Sequence, residues 1–160
     1  GEVAKKIKIA PDLISFSKAK LDTSSKKNFS NFRIVFLSRI SPMKNLDYLI
    51  KVLIKVNTPL EFSIIGPKQD LKYWNQCKKL IEKLPSHIKV NISKEISPEK
   101  VQEVFSQYDL FVFPTRGENF GHVILESLSA GTPVLLSDQT LWKTDKLFGL
   151  QTLELKKIFG

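Results

Sequence analysis

Residues 109–137, DLFVFPTRGENFGHVILESLSAGTPVLLS, contain the pattern that decides the fold. The stretch from Asp109 to Pro114 is almost entirely apolar, as expected for a strand that is buried on both faces of a sheet. A helix pattern follows from Gly121 to Ala130, and a second apolar strand runs from Thr132 to Ser137. This succession predicts a βαβ unit of a parallel sheet.

The same alternation extends toward the amino terminus. Strands are predicted at 33–38, 60–65 and 88–92, and amphipathic helices at 46–56, 71–84 and 97–107. Five strands with four intervening helices predict an α/β fold, a Rossmann-like doubly wound parallel sheet. A ligand of such a sheet binds beyond the carboxyl ends of the strands, here the loops 38–45, 66–70, 92–97 and 114–121.

The domain organisation follows from where this alternation stops. Residues 32–142 form the predicted domain. Residues 1–31 are polar and rich in serine and lysine after a short strand pattern, which indicates a lead-in segment or interdomain linker. Residues 143–160 show no sixth strand pattern and are predicted to be an irregular tail. We therefore expect the domain to be truncated at its carboxyl terminus.

The composition excludes several classes of protein. With 160 residues, 42% of them hydrophobic and 26% charged, the chain is neither disordered nor collagen-like. A single cysteine, Cys77, and no apolar run long enough for a membrane helix favour a cytoplasmic protein. His87 and His122 have no Cys or carboxylate at ligand spacing, so no metal site is predicted. Glycine-rich dinucleotide and Walker motifs are absent from the sequence, and no cofactor is expected.

The formal net charge of +9 is concentrated in the first part of the chain, where residues 1–60 hold 12 Lys or Arg and 4 Asp or Glu. Only three of the 25 basic residues are arginine, whereas nucleic-acid readers rely on arginine for bidentate and stacking contacts. A solvated basic face is the simplest interpretation. Attraction to an anionic substrate or membrane stays open, as does a non-catalytic basic module that binds nucleic acid or an anionic membrane.

Four charged residues follow the predicted strands. Arg39 and Lys44 follow the first strand and flank the start of the next helix, where two cations could hold a diphosphate. Glu118 follows the fourth strand, and Glu126 lies on the polar stripe of the next helix, where a carboxylate could accept hydrogen bonds from a ribose. Each residue also has an ordinary interpretation as a solvated loop charge or an exposed helix residue.

Two glutamates also suggest glycoside hydrolysis, which needs carboxyl groups roughly 5 to 9.5 Å apart. Helix rise alone separates the backbones of Glu118 and Glu126 by about 12 Å. Contacts to two different sugars therefore fit this spacing better than hydrolysis does.

These motifs resemble the retaining group 1 glycosyltransferases, which have the two-domain GT-B architecture. Glu118-Asn-Phe-Gly, with Glu126 and then Gly131-Thr-Pro-Val beyond it, resembles the double-glutamate motif of that family. Phe36-Leu-Ser-Arg39-Ile-Ser-Pro-Met-Lys44-Asn resembles its phosphate-binding loop, and Ile9-Ala-Pro11-Asp-Leu resembles the passage from its first domain to its second. The resemblance spans about residues 7–142 and implies the C-terminal, nucleotide-sugar-binding domain.

The resemblance also implies a role for each site residue. The donor diphosphate is held by Arg39 and Lys44. The transferred sugar is held by Glu118 and by the backbone of Asn119, Phe120 and Gly121. Glu126 holds the ribose, and residues 90–96 line the base. One departure is Ser38, which replaces the glycine common before the arginine and could crowd the phosphate.

For the whole protein, the resemblance implies a retaining hexosyltransferase that needs no metal, with Arg39, Lys44 and Glu118 as catalytic residues. UDP- or GDP-sugars are favoured over ADP-sugars as the donor, and nucleic acid is not expected as a partner. The acceptor site would lie on an N-terminal domain that this chain lacks, so the chain alone is expected to be inactive. The expected location is the cytoplasm, with peripheral membrane attachment as an option.

Overall fold

The computed structural model describes residues 32–144 and 149–153, which form six strands and four α-helices. The strands are β1 (Arg33–Leu37), β2 (Leu60–Ile65), β3 (Ile88–Ser93), β4 (Leu110–Phe113), β5 (Val134–Ser137) and β6 (Leu150–Leu153). The helices are α1 (Leu46–Leu53), α2 (Leu71–Ile81), α3 (Val101–Ser106) and α4 (His122–Ser129). The linker predicted for residues 1–31 lies outside the described residues. None of the described helices is long and apolar enough to cross a membrane.

The six strands form one parallel sheet in the order β3-β2-β1-β4-β5-β6. This order confirms the prediction of a doubly wound, Rossmann-like fold. The connections after β1 and β4 run in opposite directions, so a crevice opens between the carboxyl ends of these two neighbouring strands. The loops that follow β1 and β4 are those that carry Arg39, Lys44 and Glu118.

Both faces of the sheet are packed against helices. On β1, Ile34 and Phe36 belong to the core that α1 and α2 cover, whereas Val35 belongs to the core that α3 and α4 cover. In the second core the rings of Phe111 and Phe113 stack with their centroids 5.4 Å apart. Burial on both faces explains why the central strands are apolar without alternation.

Helix α1 follows its predicted amphipathic pattern and packs against α2. It buries Leu46, Leu49, Ile50 and Leu53. The Tyr73 hydroxyl of α2 donates to Asp47 of α1 at 2.5 Å and accepts from the Asp47 backbone N–H at 3.0 Å. These bonds join the two helices beside the fully buried Cys77.

Helices α1 and α2 both end earlier than the predicted residues 56 and 84. At the end of α1, Val56 donates its N–H to the Leu53 carbonyl at 3.0 Å. Leu84 donates in the same way to Ile81 at 3.0 Å, just beyond α2. Each α-helix thus ends in a tighter turn, in which hydrogen bonds join residues three positions apart. The apolar spacing of the sequence continues through this turn, so the sequence pattern is longer than the α-helix.

The expectation of five strands and an irregular tail after residue 142 is wrong at residues 150–153, which form β6. Its four residues pair with β5 in parallel, and Leu150 is 4% exposed. The Val134 N–H also donates to the Gly149 carbonyl at 2.8 Å. The strand is short and contains the polar Gln151 and Thr152, so the sequence offers too few apolar positions to show a strand period.

Candidate functional site

The loop after β1 is held against the end of β2. Ser38 donates its N–H to the Ile65 carbonyl at 3.0 Å, and Ile40 donates to the Pro67 carbonyl at 2.8 Å. Ile40 is fully buried, whereas Arg39, between these two anchored residues, is exposed. Gly66 has a φ of 145°, and a Cβ there would overlap the Ser38 carbonyl oxygen, so this close approach requires glycine.

Lys44 is buried and paired with Glu118. Its Nζ lies 2.7 Å from Glu118 Oε2 and 5.2 Å from the centre of the Phe113 ring. The side chains of Lys44 and Glu118 are 8% and 20% exposed. The pair thus joins the predicted diphosphate-binding lysine directly to the predicted sugar-binding glutamate, and two of the three ammonium donors are left for other partners.

The loop between β4 and α4 is fixed by bonds at both of its sides. The Asn45 side-chain amide donates to the Pro114 carbonyl at 3.0 Å, and the Arg116 N–H donates to the Met43 carbonyl at 2.8 Å. On the other side, the Ser137 hydroxyl of β5 donates to the Thr115 carbonyl. Glu118 therefore sits on a loop that is anchored to neighbours from two other segments.

Helix α4 begins at His122, directly after Gly121, whose φ of 65° is left-handed. A Cβ on Gly121 would meet side chains only, those of Ile124 and Trp142 most closely, so it is the left-handed φ that favours glycine at this turn. One turn into α4, burial raises the pKa of the Glu126 carboxyl, while the charge of His122 lowers it. The first two turns of α4 thus place the imidazole of His122 and the partly desolvated carboxyl of Glu126 on one face of the helix.

The four predicted charged residues meet in one cleft of about 340 Å³ at the carboxyl ends of β1 and β4. The walls combine these charges with apolar and small polar side chains: Leu37, Ser38, Arg39, Lys44, Phe113, Glu118, His122, Val123 and Glu126. A cleft of this size and mixed character fits a small molecule with anionic and hydroxyl groups.

Three other predicted site residues do not line this cleft. Asn119 and Phe120 are exposed, Phe120 by 77%, and Gly121 is buried. The Asn119 N–H donates to Glu118 Oε1 at 3.2 Å, so that amide orients the glutamate in this structure. Residues 90–96 do not line the cleft either, and their assignment to the base stays a prediction.

His122 lines the cleft but was not among the predicted site residues. The sequence places it with Glu126 on one polar stripe of an otherwise apolar helix, four positions away. That spacing puts both side chains on the same face, which is the signal that could have identified His122. Within residues 32–144 and 149–153, no group of three or more His, Cys, Asp or Glu side chains could hold a metal ion.

The fold and the cleft define a Rossmann-like α/β domain with a charged cleft at the point where the strand order reverses. The family described as glycosyl transferases group 1 matches residues 17–142. The chain belongs to this family.

A curated relative agrees with this assignment, and solved structures share the fold. The glycogen synthase of Thermotoga maritima is 30% identical over 120 residues, which are 74% of this chain and 24% of that protein. A structure of Anabaena Alr3699/HepE in complex with UDP and glucose has a TM-score of 0.67 at 21% identity, over 81% of this chain and 37% of that one.

The C-terminal domain of a group 1 family protein (LpcC) from Francisella tularensis has a TM-score of 0.63 at 19% identity, over 79% of this chain and 71% of that one. The chain spans about a quarter of the length of the curated relatives that it matches.

The basic segment of the chain is only partly described. Of the 12 basic residues in residues 1–60, seven lie in residues 1–31, outside the described part. The alternative of a basic module that binds an anionic membrane or nucleic acid through this segment is therefore not tested.

Proposed function

We propose that this domain binds a nucleoside diphosphate sugar and provides the donor side of a retaining sugar transfer. The observation that carries the proposal is the meeting of Arg39, Lys44, Glu118 and Glu126 in one cleft, although they come from two separate loops and a helix. The family assignment and the ligands in the name of the Anabaena structure, UDP and glucose, support the same class of ligand.

Arg39 and Lys44 bind the diphosphate in this proposal. Arg39 is exposed at the edge of the cleft, and Lys44 keeps two donors besides the one that contacts Glu118. The amino terminus of α4 adds backbone N–H groups and the positive end of the helix dipole. Positive groups fixed at the leaving diphosphate stabilise the charge that develops on it during transfer, without a requirement for a metal ion.

Glu118 and Glu126 bind the hydroxyl groups at the two ends of the donor. Glu126, in the first turns of α4, accepts hydrogen bonds from the ribose, and Glu118, on the loop before α4, accepts them from the transferred hexose. Because Glu118 also holds Lys44, the residue that recognises the sugar orients a cation at the leaving group. The acceptor and the site that binds it belong to another domain of the whole protein in this proposal.

Calorimetry with UDP-, GDP- and ADP-glucose tests donor binding, and Arg39→Gln with its control Arg33→Gln tests the site. Arg33 carries the same charge at the opposite end of β1, with its guanidinium 5.9 Å from the centre of the Tyr108 ring. We expect Arg39→Gln to weaken binding by about 10- to 100-fold, the scale of a hydrogen bond to a charged group, and Arg33→Gln to leave it unchanged. Equal losses in both variants would contradict the site, and no binding of any sugar nucleotide would contradict the function.

The roles of the two glutamates are distinguished by comparing the binding of UDP with that of UDP-glucose. Glu126→Ala is expected to weaken both ligands alike, by about 5- to 100-fold, because both contain the ribose. Glu118→Ala is expected to weaken only UDP-glucose. If both substitutions weakened bare UDP equally, this assignment of the glutamates would be wrong.

A further inference from the structure

His122 lies in the wall of the cleft, at the start of α4. It is the first residue of α4 and lines the cleft together with Arg39, Lys44, Glu118 and Glu126. Its ring stacks on the exposed ring of Phe120, with centroids 6.0 Å apart and planes inclined by 28°. His122 is itself exposed, so its imidazole can be reached by a ligand that enters the cleft from solvent.

Helix formation does not explain a histidine at this position. The amino terminus of a helix favours acidic side chains, and a protonated imidazole there opposes the helix dipole. Helix α4 has no acidic residue in its first turn and no side-chain hydrogen bond at its N-cap. His122 therefore occupies a position where it contributes nothing evident to the helix.

The other charges of the cleft cancel. Two cations, Arg39 and Lys44, face two carboxylates, Glu118 and Glu126, and Lys44 is already paired with Glu118 at 2.7 Å. A nucleoside diphosphate sugar carries two negative charges on its diphosphate. Apart from the dipole of α4, the side chains of the cleft thus offer the ligand no excess of formal positive charge unless a further group becomes protonated.

We propose that His122 supplies this further positive charge, so that the binding of a nucleotide sugar takes up a proton at His122. The inference rests on the proposed function and adds a residue and a pH dependence to it. A protonated His122 attracts the diphosphate and a neutral one does not, so affinity rises as the pH falls from 8 to 6, the range in which histidine changes its charge.

Glu126 is the other group in the cleft that can exchange a proton in response to a ligand. Burial raises the pKa of its carboxyl, and a positive charge on His122 would oppose this shift. Glu118 is held by the Lys44 ammonium at 2.7 Å. The experiment therefore has to separate His122 from Glu126.

The test is calorimetry of the 160-residue chain with UDP-glucose, GDP-mannose and ADP-glucose at pH 6, 7 and 8, in buffers with different heats of ionisation. The diphosphate of a nucleotide sugar is esterified at both ends and does not titrate in this range, so any proton taken up belongs to the protein. For the ligand that binds best, we expect about fivefold tighter binding at pH 6 than at pH 8, the scale of one charge pair in a solvent-exposed cleft.

Four variants identify the residue. His122→Gln is expected to abolish both the proton uptake and the pH dependence of binding. His122→Lys is expected to abolish both as well. At pH 8, His122→Lys is expected to bind the ligand at least as tightly as the unmodified chain binds it at pH 6. Glu126→Gln is expected to bind less tightly and still take up the proton. The matched control is His87→Gln, because His87 Nε2 lies 2.8 Å from the Val56 carbonyl, away from the cleft, and this variant is expected to keep the full pH dependence.

The possible failures are distinguishable. Binding without proton uptake, or uptake that persists in His122→Gln, overturns the role of His122 and leaves the proposed function intact. Uptake that disappears in Glu126→Gln but not in His122→Gln assigns the proton to Glu126 and also overturns the inference. The absence of binding for all three sugar nucleotides overturns the proposed function, and the inference with it.

Discussion

The Lys44–Glu118 pair gives the sharpest prediction, because replacing Glu118 has opposite effects on stability and on diphosphate binding. Exposed ion pairs contribute at most about 1 kcal/mol, whereas removing one partner of a buried pair costs about 3 to 5 kcal/mol. The two side chains are 8% and 20% exposed, which places this pair between the two cases. We expect Glu118→Gln to lower the free energy of unfolding by about 2 kcal/mol, a fall in Tm of about 4 to 8 °C for a chain of this size.

The same substitution releases the Lys44 ammonium and removes a negative charge beside the diphosphate. Bare UDP should then bind up to about fivefold more tightly, the scale of one charge pair in water, while UDP-glucose loses its sugar contact. General damage to the fold would weaken both ligands. A variant that is less stable and yet binds UDP more tightly is therefore a specific signature of this pair.

Urea unfolding followed by tryptophan fluorescence measures the stability change, and calorimetry measures the affinity. The control is Lys51→Gln, which breaks an exposed pair of similar length, 2.8 Å between Lys51 Nζ and Asp47 Oδ2, with 47% and 19% exposure. We expect this control to cost less than about 0.5 kcal/mol, and the double variant Lys44→Met with Glu118→Gln to recover most of the stability lost. If Glu118→Gln cost no more than Lys51→Gln, the reasoning from burial would be refuted.

Three further predictions concern the helices and the last strand. Burial raises the pKa of the Cys77 thiol to about 11. A thiol-specific disulfide reagent at pH 8 should therefore react with Cys77 only after the chain unfolds, and fast reaction with the folded chain would contradict the burial of this thiol. Burial would raise the pKa of the Asp47 carboxyl, but hydrogen bonds from Lys51 and Tyr73 hold it below its ordinary value. The stability that Asp47 contributes is thus present above its unfolded pKa and is lost as the pH falls through the lower folded pKa. Tyr73→Phe should lower the free energy of unfolding by about 1 to 2 kcal/mol at pH 7. Urea unfolding between pH 7 and pH 3 should also show a weaker loss of stability with acid in this variant, and an unchanged pH dependence would contradict the role of the hydroxyl. Backbone amides in β6 (Leu150–Leu153) should be protected in hydrogen exchange, and exchange as fast as in an unstructured peptide would show that β6 does not pair stably with β5.

The sequence predicted five of the six strands and all four helices of the described residues, because these elements bury continuous or periodic apolar faces. Strand β2 has its predicted bounds, and the other predicted elements differ from the structure at one or both ends. For α1 and α2 the reason is that a tighter turn after each helix continues its apolar pattern. Strand β6 was missed because its burial depends on pairing with β5, which a four-residue pattern with two polar side chains does not reveal.

The charged residues of the cleft could be predicted because topology alone brings the ends of β1 and β4 together. Arg39, Lys44, Glu118 and Glu126 all follow from this rule and from their positions after the strands. The contact between Lys44 and Glu118 could not be predicted, since it joins residues 74 positions apart and depends on the paths of two irregular loops. His122 was not predicted, although it shares a helix face with Glu126, because a single histidine at a helix start matches no metal-ligand or catalytic spacing.

The bonds between the two loops explain how an open cleft keeps its charges in place. The loop after β1 and the loop after β4 are joined by the Asn45 amide at Pro114, by the Arg116 N–H at Met43 and by the Lys44–Glu118 pair. Each bond links the cationic side of the cleft to the acidic side. A ligand that contacts both sides therefore meets groups whose separation is already set, and little conformational entropy is lost when it binds. In the proposed transfer, the same bonds keep Lys44 aligned with the leaving diphosphate, which is the condition under which a fixed charge lowers a reaction barrier.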